Sequence, residues 1–214
     1  MKLRILGCGT SAGVPRIGND WGACDPAEPR NRRTRASILI ESDGQRLLVD
    51  CGPDMREQLL SADVDRIDGV IVTHEHADHC HGIDDLRRLS QILDGPVPLY
   101  ARADVIEKLA SRFGYIFKGT SFYAAVADPV ELGDELAFGD ALLRFVDQPH
   151  GRITSLGLRV EEGGRSAVYA IDFHDLTEEM RCLYGAADVW ISDCLGRYPD
   201  WAAPAHDGLE IEIG

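Results

Sequence analysis

Long apolar runs are absent from this sequence: no segment approaches the ~20 consecutive apolar residues that a membrane-spanning helix needs. The first residues also lack the apolar core and small-residue cleavage site of a secretory signal. Positive charge is scarce, because 22 Lys and Arg stand against 36 Asp and Glu, for a formal net charge of −14. Nucleic-acid binding draws its affinity mainly from phosphate neutralisation, so this charge disfavours long nucleic acids as partners. We expect a cytoplasmic protein with no membrane partner.

Cys-x-x-Cys pairs are also absent. The six cysteines are scattered along the chain, which in a cytosolic protein is typical of reduced, structural thiols. An alternative for Cys80, which directly follows a run of histidines, is oxidant sensing. The 214 residues, 44% of them hydrophobic, suffice for a buried core. We therefore assign residues 1–214 to a single domain.

The segment 73–79 reads Thr-His-Glu-His-Ala-Asp-His and carries three of the seven histidines in the chain. It directly follows the apolar residues 70–72, which indicates a strand that ends in a loop rich in potential ligands. Imidazole suits zinc, and a carboxylate can reach or bridge a second cation, so the segment predicts ligands for two metal ions. The alternative is a polar surface loop with incidental histidines.

Hydrophobic patterning predicts alternating strands and helices in two halves. Each half starts with antiparallel strands and ends with β-α units, so the fold class is α/β, a four-layer αββα sandwich of two mixed sheets. We predict strands at 1–7, 36–41, 46–49, 67–72, 97–100, 135–138, 142–147, 154–160, 166–171, 188–193 and 208–213, and helices at 53–60, 83–93, 104–113 and 177–184.

Three further polar residues follow predicted strands: Asp50, His150 and Asp172. Taken singly, an Asp at a strand end is usually a turn or cap residue. Strand ends can aim side chains into one pocket, however, and together with segment 73–79 these residues complete a plausible metal-binding set.

With these residues, and with the stretches 9–15, 29–33, 82–87 and 207–211, the chain resembles the metallo-β-lactamase superfamily. Within it, the similarity is to the phosphodiesterase branch near the phosphonate-utilisation accessory protein, and more distantly to the tRNA 3′-processing nuclease. The resemblance implies two divalent metal ions, zinc or alternatively manganese. It implies that Asp50 is a buried aspartate that supports the histidine loop through hydrogen bonds. It also implies one ion bound by His74, His76 and His150, and a second bound by Asp78 and His79, with Asp172 bridging both.

Two such ions would lower the pKa of a shared water and clamp phosphoryl oxygens. Asp78 could orient that water as well as bind metal. A leaving alkoxide needs a proton, and His174 is our candidate general acid; the alternative for His174 is a capping or supporting role. Arg33 and Arg35, within four arginines in residues 30–35, could bind a substrate phosphate. Their alternative is a solvated loop paired with nearby acids.

Two features depart from the family pattern. Cys24 alone lies where members of this branch often carry a zinc-binding cysteine cluster, so we expect no separate structural zinc. After the strand that ends at Asp193, the histidines expected as general acid and as a ligand of the second ion are missing. Two interpretations stay open. Either the sequence omits a helix and strand of the natural chain near 198–201, or the deletion is genuine and weakens the second metal site.

These features predict a binuclear metal-dependent phosphodiesterase that acts on a small phosphate ester, such as a nucleotide or cyclic ribose phosphate. One alternative is RNA processing, for which residues 30–35 are the one basic candidate surface. Thioester or lactone hydrolysis by the same ions is a second, and a single-metal protein that binds a nucleotide without turnover is a third. The resemblance also leads us to expect a homodimer.

Overall fold

Two β-sheets face each other at the centre of the structure, a computed structural model that describes residues 1–193 and 202–213. The helices are α1 (Met55–Ser61), α2 (Ala77–Cys80), α3 (Leu86–Leu93), α4 (Ala103–Lys118) and α5 (Glu178–Tyr184). The strands are β1 (Lys2–Gly7), β2 (Ser37–Ser42), β3 (Gln45–Val49), β4 (Gly69–Ile71), β5 (Val97–Ala101), β6 (Ala127–Glu131), β7 (Glu135–Phe138), β8 (Ala141–His150), β9 (Ile153–Glu162), β10 (Arg165–Ala170), β11 (Val189–Ser192) and β12 (Glu210–Glu212).

The first sheet has seven strands in the order β12-β1-β2-β3-β4-β5-β6. Strands β12 to β3 are antiparallel neighbours, whereas β3 to β6 run parallel and are joined by helical crossovers. The second sheet has five strands in the order β11-β10-β9-β8-β7, and β10 and β11 are its parallel pair. Both sheets are therefore mixed.

Alternation along the strands assigns each side chain to a layer. In β2, Ile38 and Ile40 face the second sheet, while Leu39 faces the helices. Helices α1, α3 and α4 cover the outer face of the first sheet, and α5 covers the second through Met180 and Tyr184. The order helix, sheet, sheet, helix confirms the predicted four-layer αββα sandwich.

The hairpin between β2 and β3 shows how local chemistry sets the register. Asp43 and Gly44 both have positive φ, 47° and 72°, which is the backbone of a tight type I′ turn. Asp and Gly tolerate this region better than other residues. This turn joins the two strands predicted at 36–41 and 46–49.

Several elements differ in extent from the sequence prediction, and one strand was not predicted. The strand predicted at 67–72 covers only Gly69–Ile71; the N–H of Val72 still donates to the carbonyl of Tyr100, and the histidine loop begins directly after it. The helix predicted at 104–113 runs on to Lys118 through a kink at Phe113, since the apolar spacing continues to the buried Ile116. Strand β6 was not predicted: four of its five residues are exposed and it contains Pro129, which suits an edge position but hides the strand pattern.

The predicted gap near 198–201 lies outside the described residues, so both interpretations of it stay open. The assignment of residues 1–214 to one domain also stays a prediction. None of the helices described is both long and apolar enough to cross a membrane.

Candidate metal centre

Polar residues from both sheets meet where their strands end. Segment 73–79 follows β4 of the first sheet, while His150 ends β8 and Asp172 follows β10 of the second. Nδ1 of His76 lies 3.2 Å from Nε2 of His150, and Nε2 of His79 lies 3.0 Å from Oδ2 of Asp172. The fold therefore brings together side chains that are 74 and 93 residues apart in the sequence.

Three imidazoles, those of His74, His76 and His150, offer nitrogens to one point. Nε2 of His74 lies 3.1 Å and Nε2 of His150 lies 3.2 Å from Nδ1 of His76. A tetrahedral zinc ion holds its ligand nitrogens roughly 3.3 Å apart, given its usual Zn–N bond lengths. This donor set therefore fits a zinc-sized ion.

A second donor set adjoins the first and shares His74 with it. His74, His79 and Asp172 form this group, and Oδ2 of Asp78 lies 3.4 Å from Nε2 of His79. The set mixes imidazole with carboxylate, which suits zinc as well as harder ions such as manganese. The described geometry thus brings together all six residues that the sequence analysis named as metal ligands.

Asp50 braces the histidine loop from inside the protein. Its fully buried carboxylate accepts hydrogen bonds from the backbone N–H and hydroxyl of Thr73, and lies 2.6 Å from Nδ1 of His79. The Thr73 hydroxyl in turn lies 3.0 Å from Nδ1 of His74. Outer partners of this kind fix the orientation of metal-binding imidazoles and the tautomer they adopt. The distal Nε2 atoms of His74 and His79 are left facing the cluster.

The main chain of this loop packs directly against the segment that follows β3. The backbone N–H of Cys51 donates to the carbonyl of His79, and the N–H of Gly82 donates to the carbonyl of Cys51. A Cβ on Gly52 would lie 2.0 Å from the carbonyl oxygen of Asp78. Glycine at position 52 is therefore required by this close approach.

Burial and charge act differently on the two inner histidines. Burial, together with the neighbouring His79, lowers the pKa of His74 to about 3, so His74 is a neutral, metal-ready imidazole. Burial also disfavours charge on His79, but the carboxylates of Asp50 and Asp172 outweigh it and raise the pKa of His79 well above its usual value. An ion bound at His79 therefore has to displace a proton.

His174 lies beside the turn that carries His150. The backbone N–H of His174 donates to the carbonyl of Pro149, and its Nδ1 accepts from the backbone N–H of Gly151 at 3.2 Å. Because Nδ1 accepts, the ring proton resides on Nε2. The ring is exposed. These contacts secure the turn around His150, and the acid role of His174 stays a prediction.

The two arginines predicted to bind substrate differ in their contacts. The guanidinium of Arg35 forms an ion pair with Asp54 at 3.0 Å and donates to the carbonyl of Ser11. Arg33 is engaged less firmly, with a 3.3 Å contact from Nε to the carbonyl of Arg30. Of the two, Arg33 has the guanidinium with fewer contacts among the described residues. A role in substrate binding stays a prediction for both.

Two residues of the site were not singled out from the sequence. Thr73 joins Asp50 to His74 through its hydroxyl; its position directly before the histidines was the available signal. Asp193 follows β11, and burial together with the charge of Asp172 raises its pKa. Its place at a strand end is the same signal that identified Asp172.

A two-sheet αββα sandwich with a His/Asp cluster at the meeting strand ends is the architecture of metallo-hydrolases. A family model described as "Beta-lactamase superfamily domain" matches residues 45–210. The chain belongs to this superfamily, as the sequence resemblance predicted.

Individual relatives show how far the similarity extends. A crystal structure of a diphosphatase of the PhnP family has a TM-score of 0.86 and 29% identity, over all of this chain and 98% of that one. Zn²⁺-bound PqqB from Methylobacterium extorquens shares the fold, with a TM-score of 0.72 and 20% identity over 90% of this chain and 72% of that one. An octanoyltransferase of Porphyromonas gingivalis is 32% identical over all of this chain, which spans 42% of that relative's length.

Proposed function

We propose that this protein is a metal-dependent phosphodiesterase that hydrolyses a small phosphate ester through two divalent ions, zinc or manganese. Superfamily membership and the His/Asp cluster support the broader class, a metal-dependent hydrolase. The finer assignment rests on one observation: beside the donors of His74, His76 and His150 lies a second group of donors, His79 and Asp172, with Oδ2 of Asp78 3.4 Å from Nε2 of His79. Adjacent sites of this kind suit in-line displacement at phosphorus, where attacking and leaving oxygens both need stabilisation.

In this proposal His74, His76 and His150 would hold one ion, Asp78 and His79 would hold the second, and Asp172 would contribute to both. Ions bound there would supply Lewis acidity and make water nucleophilic near neutral pH.

Asp78 has the charge state needed to orient a water molecule. Burial opposes its ionisation, but the hydrogen bond and charge of His79 lower the pKa of Asp78 to about 2. The carboxylate is therefore ionised near neutral pH and can accept a hydrogen bond from the attacking water. This acceptor role adds to its role as a metal ligand.

Three residues are assigned to the substrate in this proposal. His174 is the candidate donor to the leaving oxygen; to donate, its ring has to carry a proton on both nitrogens, so Nδ1 would give up the hydrogen bond that it accepts from Gly151. Arg33 is the candidate partner for a substrate phosphate, and Arg35, which is anchored by its ion pair with Asp54, is the second. The net charge of −14 supports a small substrate over long nucleic acid.

A second candidate is hydrolysis of a phosphoanhydride. The structure that is 29% identical over the full length of this chain is a diphosphatase. Diesters and diphosphates present similar phosphoryl oxygens, so the same site could accept either, and the two are separated by substrate trials.

The test is elemental analysis of metal on protein of verified mass, combined with hydrolysis of bis(p-nitrophenyl) phosphate and of ADP-ribose. We expect about two ions per chain and turnover of the diester. His76→Ala should lose an ion and reduce turnover by ~1000-fold, which corresponds to about 4 kcal/mol of transition-state stabilisation. His81→Ala is the matched control, because His81 packs its ring against Phe113 outside both donor sets.

Different outcomes would redirect the assignment. Turnover of ADP-ribose alone would favour the phosphoanhydride candidate. Cleavage of a thioester, a lactone or an RNA substrate without diester turnover would overturn the proposal. One ion per chain with no turnover would favour a single-metal nucleotide-binding protein.

A further inference from the structure

Glu75 lies between two proposed ligands, yet its side chain points away from the cluster. Glu75 is 7% exposed, whereas the neighbouring His76 and Ala77 are exposed. Its Oε1 lies 2.9 Å from Nζ of Lys108 on helix α4. The loop therefore places two imidazoles at the centre and sends the intervening carboxylate to a helix on the outside.

Helix α4 also holds the backbone at the same residue. The guanidinium of Arg112 donates to the carbonyl oxygen of Glu75. Lys108 and Arg112 are four residues apart, so they lie one above the other on one face of the helix. Two cations from one helix face thus contact the side chain and the main chain of a single loop residue.

His76 needs this support more than its neighbours. The rings of His74 and His79 have outer partners in Thr73 and Asp50. Across residues 1–193 and 202–213, the ring of His76 has hydrogen-bond-distance contacts with His74 and His150 alone, both proposed ligands themselves. The position of His76 therefore depends on the main chain that carries it.

We propose that Lys108 and Arg112 are positioning residues, which fix the main chain at Glu75 and thereby hold His76 in its metal-binding position. This inference rests on the proposed function in one respect, that the three histidines bind an ion. Within the described part of the chain, Oε2 of Glu75 has no hydrogen-bond partner. Loss of Lys108 would leave the carboxylate largely buried without its ion-pair partner, which is unfavourable, and we expect the segment that carries Glu75 to shift toward solvent in response.

The experiment measures zinc affinity of the metal-free protein by competition with a chromophoric chelator, and the absorption bands of the cobalt-substituted protein. Lys108→Met should lower zinc affinity by ~10–100-fold, the usual effect of losing an outer partner of a ligand, and should alter the cobalt bands. Lys108→Arg should restore the affinity, because a cation returns to Glu75. Glu75→Gln combined with Lys108→Met should recover much of the loss, because no buried charge remains.

Asp104→Asn is the matched control. Asp104 pairs with the same Lys108 ammonium at 3.1 Å, but from the solvent side, one helical turn before it. This variant should bind zinc like the wild type. Melting of the metal-free protein separates positioning from general stability, because a positioning role lowers zinc affinity without a matching fall in melting temperature.

Wild-type zinc affinity in Lys108→Met would overturn the inference, as would an equal loss in Asp104→Asn. If Lys108→Met does not fold, Arg112→Gln replaces it and is judged by the same criteria. Failure of the phosphodiesterase proposal looks different: the wild type would bind zinc and leave the diester intact. Because zinc affinity is measured without substrate, the two failures cannot be confused.

Discussion

The two sheets hold their shares of the metal centre in different ways. On the first sheet, the side chains of His74 and His79 are 0% and 2% exposed and are braced by the side chains of Thr73 and Asp50. On the second sheet, the side chain of Asp172 is 30% exposed. The second sheet supports the backbone of Asp172 instead, because the Ser155 hydroxyl donates a hydrogen bond to the Asp172 carbonyl at 2.7 Å.

This difference indicates a division of roles between the sheets. Side-chain braces fix the imidazoles of His74 and His79 before an ion arrives, whereas Asp172 keeps freedom to adjust its carboxylate around an ion in the proposed site. Rigid ligands provide affinity, and an adjustable bridging carboxylate accommodates changes in coordination during reaction. Four substitutions test the comparison.

Loss of the Asp50 carboxylate should have the largest effect. Asp50→Ala removes the acceptor for Thr73 and His79 at a fully buried position, and unsatisfied groups of this kind cost ~1–3 kcal/mol each. The free energy of unfolding of the metal-free protein, measured by urea denaturation, should fall by at least ~3 kcal/mol. Asp50→Asn is the control, because Asn tolerates the φ of 66° and retains one acceptor oxygen. Equal losses in both variants would contradict the bracing role.

Asp172→Asn should affect metal binding and leave folding nearly unchanged. Asn tolerates the φ of 55° at this position, and the backbone bond from Ser155 persists. The affinity for the more weakly bound ion should fall by ~100-fold. This is the upper end of the loss seen when a residue that only supports a ligand is removed, and we expect it here because Asp172 is itself a proposed ligand. Calorimetric titration with zinc measures the loss. A large fall in unfolding free energy instead would show that this side of the centre is as rigid as the other.

Ser155→Ala should have a smaller effect that separates backbone from side-chain support. Ser155 is buried, and its loss leaves the carbonyl of Asp172 short of a donor. We expect the free energy of unfolding to fall by ~1–2 kcal/mol. Zinc affinity should stay within about threefold of the wild type, well below the ~10–100-fold loss seen when a side chain that supports a ligand is removed. Loss of affinity as large as in Asp172→Asn would contradict the adjustable second-sheet ligand.

His174→Ala should have the smallest effect on the fold, because its ring is exposed and secures one turn. If His174 donates a proton, the variant should slow an alkyl phosphodiester by ~100-fold. It should barely affect bis(p-nitrophenyl) phosphate, whose phenolate leaves without a proton. Equal slowing of both substrates would indicate that the residue holds the His150 turn instead.

The sequence predicted the architecture, and it predicted which residues gather in the cluster, because both leave local signals. Alternating apolar residues marked most strands, and the histidine motif together with three strand-end residues marked the cluster. The helix contacts to Glu75 had no such signal, since Lys108 and Arg112 look like ordinary solvated residues of an amphipathic helix. Strand β6 was hidden for a similar reason: its exposed edge residues lack the alternation that marks a half-buried strand.

The pairing of β1 with β12 brings the two ends of the described chain together. The backbone N–H of Ile213 donates to the carbonyl of Met1 at 3.0 Å. Chain ends this close permit circular permutation. A short linker between them, with new ends opened at the exposed Gly163-Gly164 turn, should preserve both sheets and the metal centre. Because these ends lie close together, the fold could also be inserted as a domain into a surface loop of another protein.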